Sequence, residues 1–185
     1  MTPRLCLLFA TLAAAPVAAL AQAPAAPPAN PISASEKGMY FMLSGVVIEA
    51  AEKMPEESYF FKPSPDVRSF GQLVGHIADS QYFFCSTAAG ETKPPSEAEK
   101  TKTAKADLIA ALKDAVAYCN SKYAAMTDAT GSQMTKLMNY DLAKMTILSA
   151  NTAHIYEHYG NMATYMRIRG IVPPTSEKSS SPEKK

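Results

Sequence analysis

Apolar residues recur three and four positions apart in four stretches of the chain, which is the period of an amphipathic α-helix. These stretches run from about residue 35 to 53, from 69 to 88, from 105 to 126 and from 141 to 169. No strand-like alternation of useful length lies between them, so the pattern predicts an all-α protein. The clearest stripe, in the third stretch, contains Leu108, Leu112, Val116, Cys119 and Tyr123.

Local signals set the ends of the predicted helices. Ser33 or Ser35 can cap the first helix, and Ser69-Phe70-Gly71-Gln72 forms a capping box at the start of the second. Gly90 follows the second helix and Gly170 the fourth, each with a pair of prolines shortly after it. Four long helices without strands predict a four-helix bundle, an architecture that can hold metal sites in its core.

The first 21 residues have the pattern of a signal peptide. Arg4 supplies the positive charge, residues 5–15 form an apolar core, and Ala19-Leu20-Ala21 matches a cleavage site. We therefore expect an exported protein, periplasmic or secreted, that has no stable membrane insertion after cleavage. An uncleaved N-terminal anchor is the alternative, although Pro16 interrupts an apolar stretch that is short for a membrane span.

Two further segments have the composition of unfolded chain. Residues 22–32 form an Ala/Pro-rich linker, and residues 175–185 form a tail of Ser, Pro, Glu and Lys. The folded bundle is therefore predicted to span residues 33–174.

Composition excludes some partners. The chain has 18 basic and 17 acidic residues, so loss of Arg4 with the leader makes the mature chain formally neutral. We expect no nucleic-acid partner, because such a partner needs a clustered basic surface. Cys85 and Cys119 remain after cleavage and can either pair or stay as buried thiols. The place of Cys119 on an apolar stripe favours buried thiols.

The three histidines are the main candidates for chemistry. His154 and His158 are four residues apart on one predicted helix, so both rings project from the same face. His76 lies in the second turn of another helix, and a bundle can place these helices side by side. Three neutral imidazoles would leave a coordination position open, as at a catalytic zinc. Zinc or nickel fits best, and iron, cobalt, copper or manganese also accepts such ligands.

Other readings of these residues stay open. The segment from His154 to His158 is not the HExxH motif of metalloproteases, because Glu157 adjoins the second histidine and points away from it. The histidines can also be ordinary structural residues. Asp79 and Asn151 each lie one turn from a histidine and can orient its ring. Alternatively, Asp79 can be a solvated helix residue, and Asn151 can hydrogen-bond to nearby backbone.

Two segments resemble the DinB/YfiT-like superfamily. One is His154-Ile155-Tyr156-Glu157-His158-Tyr159-Gly160-Asn161-Met162 with the following Tyr165-Met166-Arg167 and Gly170 to Pro174. The other is Arg68-Ser69-Phe70-Gly71-Gln72-Leu73-Val74-Gly75-His76-Ile77-Ala78-Asp79. The resemblance implies an up-down-down-up bundle, frequent homodimers, and a divalent metal on His76, His154 and His158.

The resemblance also bears on function. Family members with an assigned role include transferases and isomerases that use bacillithiol, mycothiol or glutathione. We therefore expect a metal-dependent enzyme, a thiol transferase or a hydrolase, that acts on a small molecule. Export departs from the cytoplasmic setting of those thiols, so a non-catalytic exported metal-binding or stress-associated bundle is the alternative. A helical interaction module with structural histidines is the third hypothesis.

Overall fold

Four long helices form the body of the fold in the computed structural model, which describes residues 29–180. In chain order the helices are α1 (Pro31–Lys53), α2 (Phe70–Ala89), α3 (Ala98–Thr101), α4 (Lys105–Ala125), α5 (Asp128–Gly131), α6 (Lys144–Ile168) and α7 (Pro174–Ser180). A 3₁₀ turn at Glu56–Ser58 follows α1, and strands β1 (Met134–Leu137) and β2 (Tyr140–Ala143) precede α6. The predicted all-α bundle is confirmed.

Around the core, α1 and α2 lie opposite each other, with α4 and α6 between them. Both α1 and α2 pack against α4 and against α6. A disulfide joins Cys85 of α2 to Cys119 of α4, with 5.4 Å between their Cα atoms. Both cysteines lie towards the C-terminal ends of their helices, so α2 and α4 run parallel. The prediction of two buried thiols is therefore wrong, because parallel packing brings the two cysteines to the same level of the bundle.

Contacts of α1 give the remaining directions. The Thr152 hydroxyl donates to Glu36 at 2.6 Å, and both residues lie in the N-terminal halves of their helices, so α1 and α6 are parallel. Lys105, the first residue of α4, donates through Nζ to the carbonyl oxygen of Met54 just after α1, so these helices are antiparallel. The connectivity is up-down-down-up, as the resemblance implies.

A buried polar network ties all four long helices together. The Asn151 side chain, 0% exposed, donates to Gln81 Oε1 at 3.0 Å and to Tyr123 Oη at 3.2 Å. The Tyr40 hydroxyl donates to the same Gln81 oxygen at 3.2 Å, and its ring stacks on Tyr123 with 3.8 Å between centroids. Among the described residues, the Asn151 side chain hydrogen-bonds to neither backbone nor histidine, and its role lies in the core.

The first turn of α1 is capped by a residue distant in sequence. Asp128 accepts hydrogen bonds from the backbone N–H groups of Ser33 at 2.8 Å and Ile32 at 3.2 Å. Asn30 Oδ1 accepts from the Asp128 N–H at 3.1 Å in return. The predicted caps, Ser33 and Ser35, are wrong because α1 begins at Pro31, upstream of both.

Replacement of Asp128 by Asn is expected to destabilise the fold by a few degrees in Tm at pH 7. The backbone hydrogen bond from Ser33 is the main cause that lowers the pKa of Asp128. The folded-state pKa is below the unfolded one, so this stabilisation is present near neutral pH and is lost as pH falls through the folded value. Thermal unfolding from pH 7 to pH 3 measures the difference, which should shrink with acid. An equal loss in Asp141→Asn, a control whose exposed pair with Lys136 contributes little, would contradict this role.

Other helix ends match the sequence signals. Ser69 Oγ accepts from the Gln72 N–H at 3.2 Å, and Gln72 Oε1 accepts from the Ser69 N–H at 2.9 Å. Gly90 ends α2 with φ of 73°, in the left-handed region that favours glycine. The aromatic segment after α1 packs over one end of the bundle, as predicted, where Tyr59 is buried and donates to the Ala51 carbonyl.

Three boundaries differ from the sequence analysis. Strands β1 and β2 form an antiparallel hairpin in a region predicted to contain no strand, and α6 begins at Lys144 rather than near 141. Four-residue strands are too short for alternation to reveal them. Helix α1 starts inside the predicted linker, and α7 begins at the last residue of the predicted bundle and extends into the predicted tail. The predicted signal peptide, linker residues 22–28 and residues 181–185 lie outside the described residues. Within residues 29–180, none of the helices combines the length and apolar character needed to cross a membrane.

Candidate metal site

The three histidines converge between α2 and α6. His154 Nε2 lies 3.2 Å from His76 Nε2 and 3.0 Å from His158 Nε2, and one ring nitrogen from each residue falls within 4.8 Å of the others. His154 and His158 project from successive turns of α6, and His76 faces them from antiparallel α2. The structure thus brings together all three predicted residues, and this group could hold a metal ion.

The donor atoms have the chemistry of a metal site. A tetrahedral zinc at its usual bond length would hold two nitrogens about 3.3 Å apart, close to the two shortest separations. Hydrogen bonds between the rings cannot pair all three Nε2 atoms. Each neutral ring has one N–H, and His154 Nε2 faces two other ring nitrogens, so it can donate to only one of them. His154 Nδ1 is buried and has no hydrogen-bond partner among the described residues.

Burial keeps two of the rings neutral. It is the main cause that lowers the pKa of His154, to about 4, and the neighbouring His158 and His76 lower it further. Burial is also the main cause that lowers the pKa of His158. Because their pKa values are lowered, both rings are neutral at neutral pH and keep the lone pairs that a metal requires. Protonation at lower pH would place charge in a buried site, which destabilises the fold.

A carboxylate that the sequence analysis did not identify contacts the third ring. His76 Nδ1 donates to Glu99 Oε2 at 2.8 Å, and Arg68 Nε donates to Glu99 Oε1 at 2.7 Å. Burial raises the pKa of Glu99, but hydrogen bonds from Arg68 and His76 outweigh burial and hold the pKa below its ordinary value. The ionised carboxylate places the His76 proton on Nδ1, which directs the Nε2 lone pair towards the other rings.

The backbone of α3 is held tightly against α2. A Cβ atom on Gly75 would lie 2.7 Å from the backbone N and Cα of Glu99, so only glycine permits this approach. Asp79 accepts from the backbone N–H groups of Ala98 at 2.8 Å and Glu99 at 3.1 Å, and from the Ser96 hydroxyl. The Asp79 carboxylate is therefore bonded to the α3 segment and does not orient an imidazole. It fixes the short helix that carries Glu99.

A cleft of about 520 Å³ opens beside the cluster. His158 forms part of its wall, together with Arg68, Glu157, Asn161 and Tyr165. The Asn161 amide lies 3.5 Å from His158 Nδ1, and the Tyr165 hydroxyl donates to the Arg68 carbonyl at 3.0 Å. A small molecule in this cleft would reach the cluster at His158. We call this the histidine cleft.

Sequence reasoning located the histidines and missed Glu99 and Arg68. Glu99 lies in the proline-containing link between two predicted helices, where no periodic signal exists. A tertiary contact brings this link onto α2, so the sequence alone does not show that Glu99 reaches His76. The one sequence signal for this contact was that Gly75, His76 and Asp79 share one face of α2, which is the face against which α3 packs.

Comparisons with known proteins identify the family. Residues 45–162 match the model of the DinB superfamily. A DinB-like protein from Bacillus cereus superposes with a TM-score of 0.68 at 13% identity, over 76% of this chain and 95% of that one. The DinB-like YjoA from Bacillus subtilis gives 0.62 at 23% identity, over 74% and 92%. No curated protein matches the sequence significantly. With a family match over more than half its length, and the same fold as these structures, the chain belongs to the DinB superfamily.

Proposed function

We propose that this chain binds one divalent metal ion through Nε2 of His76, His154 and His158, and that it is a metal-dependent enzyme for a small molecule. The observation that supports this most directly is the convergence of three ring nitrogens within 4.8 Å. A divalent metal with an open position lowers the pKa of a bound water or thiol and polarises a carbonyl group. Zinc or nickel suits the three nitrogen ligands best.

The residues around the cluster have separable tasks in this proposal. Glu99 orients His76, and Arg68 holds Glu99 through its second oxygen. Phe84 packs beside the His154 ring, with 5.5 Å between centroids, and gives that side of the cluster an apolar surface. The histidine cleft admits the substrate on the other side, where Asn161 and Tyr165 offer polar contacts. Thiol transfer to an electrophile and hydrolysis of an ester or amide both fit this arrangement.

We also propose that the protein works outside the cytoplasm. The Cys85–Cys119 disulfide supports this, because structural disulfides persist in oxidising compartments and are rare in the cytosol. The signal-peptide pattern in the first 21 residues supports it independently.

Metal analysis of the protein purified after export tests the site. The parent should contain about one equivalent of divalent metal, as expected for a single three-ligand site, and His154→Ala/His158→Ala should contain none. Tyr156→Ala/Thr164→Ala, at two exposed positions of α6, is the control and should keep the metal. The parent should also lose metal to a chelator, stay folded by circular dichroism, and rebind it. A folded parent that takes up no added metal would refute the site.

Turnover separates the enzyme from a non-catalytic metal-binding protein. The metal-loaded parent should act on p-nitrophenyl acetate or conjugate glutathione to 1-chloro-2,4-dinitrobenzene, and the double histidine variant should not. A parent that binds metal but turns over neither probe would favour the non-catalytic alternative.

A further inference from the structure

A second cleft adjoins the histidine cleft and is rich in lysine. It measures about 290 Å³, and its walls include Lys62, Lys100 and Lys102. Ser69, Gln72 and Thr103 add polar groups, and Tyr59, Phe60 and Leu108 add apolar surface. We call it the lysine cleft. It combines positive charge with an apolar surface in a volume suited to a small group.

The lysines of this cleft differ from most other cations of the protein. Elsewhere, lysines and arginines with described side chains bond to carboxylates, amides, hydroxyls or carbonyls, as Lys105 and Lys122 do. Among the lysines whose side chains the structure describes, five have no side-chain hydrogen bond or ion pair: Lys37, Lys62, Lys93, Lys100 and Lys102. Three of the five line one cleft. In a chain of almost balanced charge, this concentrates uncompensated positive charge at one place.

The carboxylate at this cleft does not neutralise the lysines. Glu99 lines the cleft, but its two oxygens are engaged by Arg68 and His76. The nearby Ser69 and Gln72 side chains accept backbone hydrogen bonds in the capping box, which holds this wall of the cleft in place. The positive charge of the lysines is therefore available to a ligand.

The two clefts share walls. Lys62, Gln72 and Glu99 line both, and the histidine cleft continues from them to His158. The lysine cleft therefore lies directly beside the cleft that reaches His158. The two clefts together can hold a ligand with one anionic end and one reacting end.

We propose that the lysine cleft binds an anionic group of the substrate that reacts at the three-histidine site. The substrate class is then a small molecule with a carboxylate, phosphate or sulfonate beside a short apolar portion that packs on Tyr59 and Leu108. This proposal rests on the proposed function for the reacting end. Anion binding by the lysines is independent of it, because no histidine lines the lysine cleft.

Calorimetric titration with phenyl phosphate tests the cleft, with phenol as the neutral comparison. The metal-free parent should bind phenyl phosphate and not phenol, and the affinity should fall with added salt. Lys62→Gln/Lys100→Gln/Lys102→Gln should weaken binding at least about tenfold through the loss of three charged donors. Lys37→Gln/Lys93→Gln removes two unpaired lysines from outside the cleft and is the matched control. It should bind as the parent does.

The same titration of His154→Ala/His158→Ala separates this proposal from the metal site. Unchanged binding of phenyl phosphate there supports the lysine cleft whether or not the parent holds a metal. Binding that appears only in metal-loaded protein and ignores the lysine substitutions would overturn the proposal, because the anion would then be a ligand of the metal. Absence of binding to the parent at millimolar concentration would overturn it as well, and would leave the metal site standing.

Discussion

Removal of the disulfide is expected to lower the free energy of unfolding by about 3–4 kcal/mol, the chain-entropy estimate for a cross-link over this loop length. The two cysteines are separated by 34 residues, and both are 0% exposed. The bond joins α2 to α4, and α2 carries His76 near its other end. A Cys85→Ala/Cys119→Ala variant should therefore unfold at lower urea concentration while it keeps its helical content.

Urea unfolding with and without reductant measures this effect. Reductant should lower the midpoint of the parent towards that of the variant and leave the variant unchanged. Alkylation of the unfolded, unreduced parent followed by mass spectrometry should leave the peptides with Cys85 and Cys119 unmodified and linked. Parent protein whose two cysteines are both alkylated after export would contradict the structural assignment.

The helical part of the fold was predictable because its signals are local. The periodic apolar stripes, the Ser69 capping box and Gly90 each act within a few residues, and the structure confirms them. The histidine cluster was predictable for a related reason. His154 and His158 share a face through helix geometry, so His76 needed only an adjacent helix to join them.

The parts that escaped prediction depend on contacts between distant residues. Asp128 caps α1 across 95 residues from Ser33, and Glu99 reaches His76 from a link without periodicity. The disulfide belongs to the same class, because the distance between its cysteines follows from the parallel packing of α2 and α4. Sequence alone shows the residue types at these positions but not which residue each one meets.

Substitution of Glu99 is expected to weaken metal binding by about 10- to 100-fold, the usual cost when a metal-bound histidine loses its outer carboxylate. Glu99→Ala leaves His76 Nδ1 without its acceptor and frees the ring to rotate. Glu99→Gln keeps an oxygen for His76 but loses the charge that Arg68 and His76 share, so its effect should be smaller. This expectation rests on the proposed metal site, and Glu99 acts in it as a positioning residue.

Competition with a chelator of known affinity gives the dissociation constant for zinc. The expected order of affinity is parent, Glu99→Gln, Glu99→Ala, without a change in the number of bound ions. Glu97→Ala, an exposed carboxylate two residues away, is the control and should match the parent. A Glu99→Ala protein that binds zinc as tightly as the parent would exclude a positioning role for the carboxylate.

Gly75→Ala tests the same role without removing the carboxylate. The added methyl would meet the backbone of Glu99 and Ala98, so α3 must move away from α2 and carry Glu99 off His76. Zinc affinity should fall towards that of Glu99→Ala, and combining the two substitutions should cost little more than either alone, because both remove one interaction. Gly45→Ala is the matched control, because its Cβ would meet no atom within 4 Å, and it should keep the parent's affinity. Fully additive losses in the double variant would show that Gly75 and Glu99 affect the metal through separate routes.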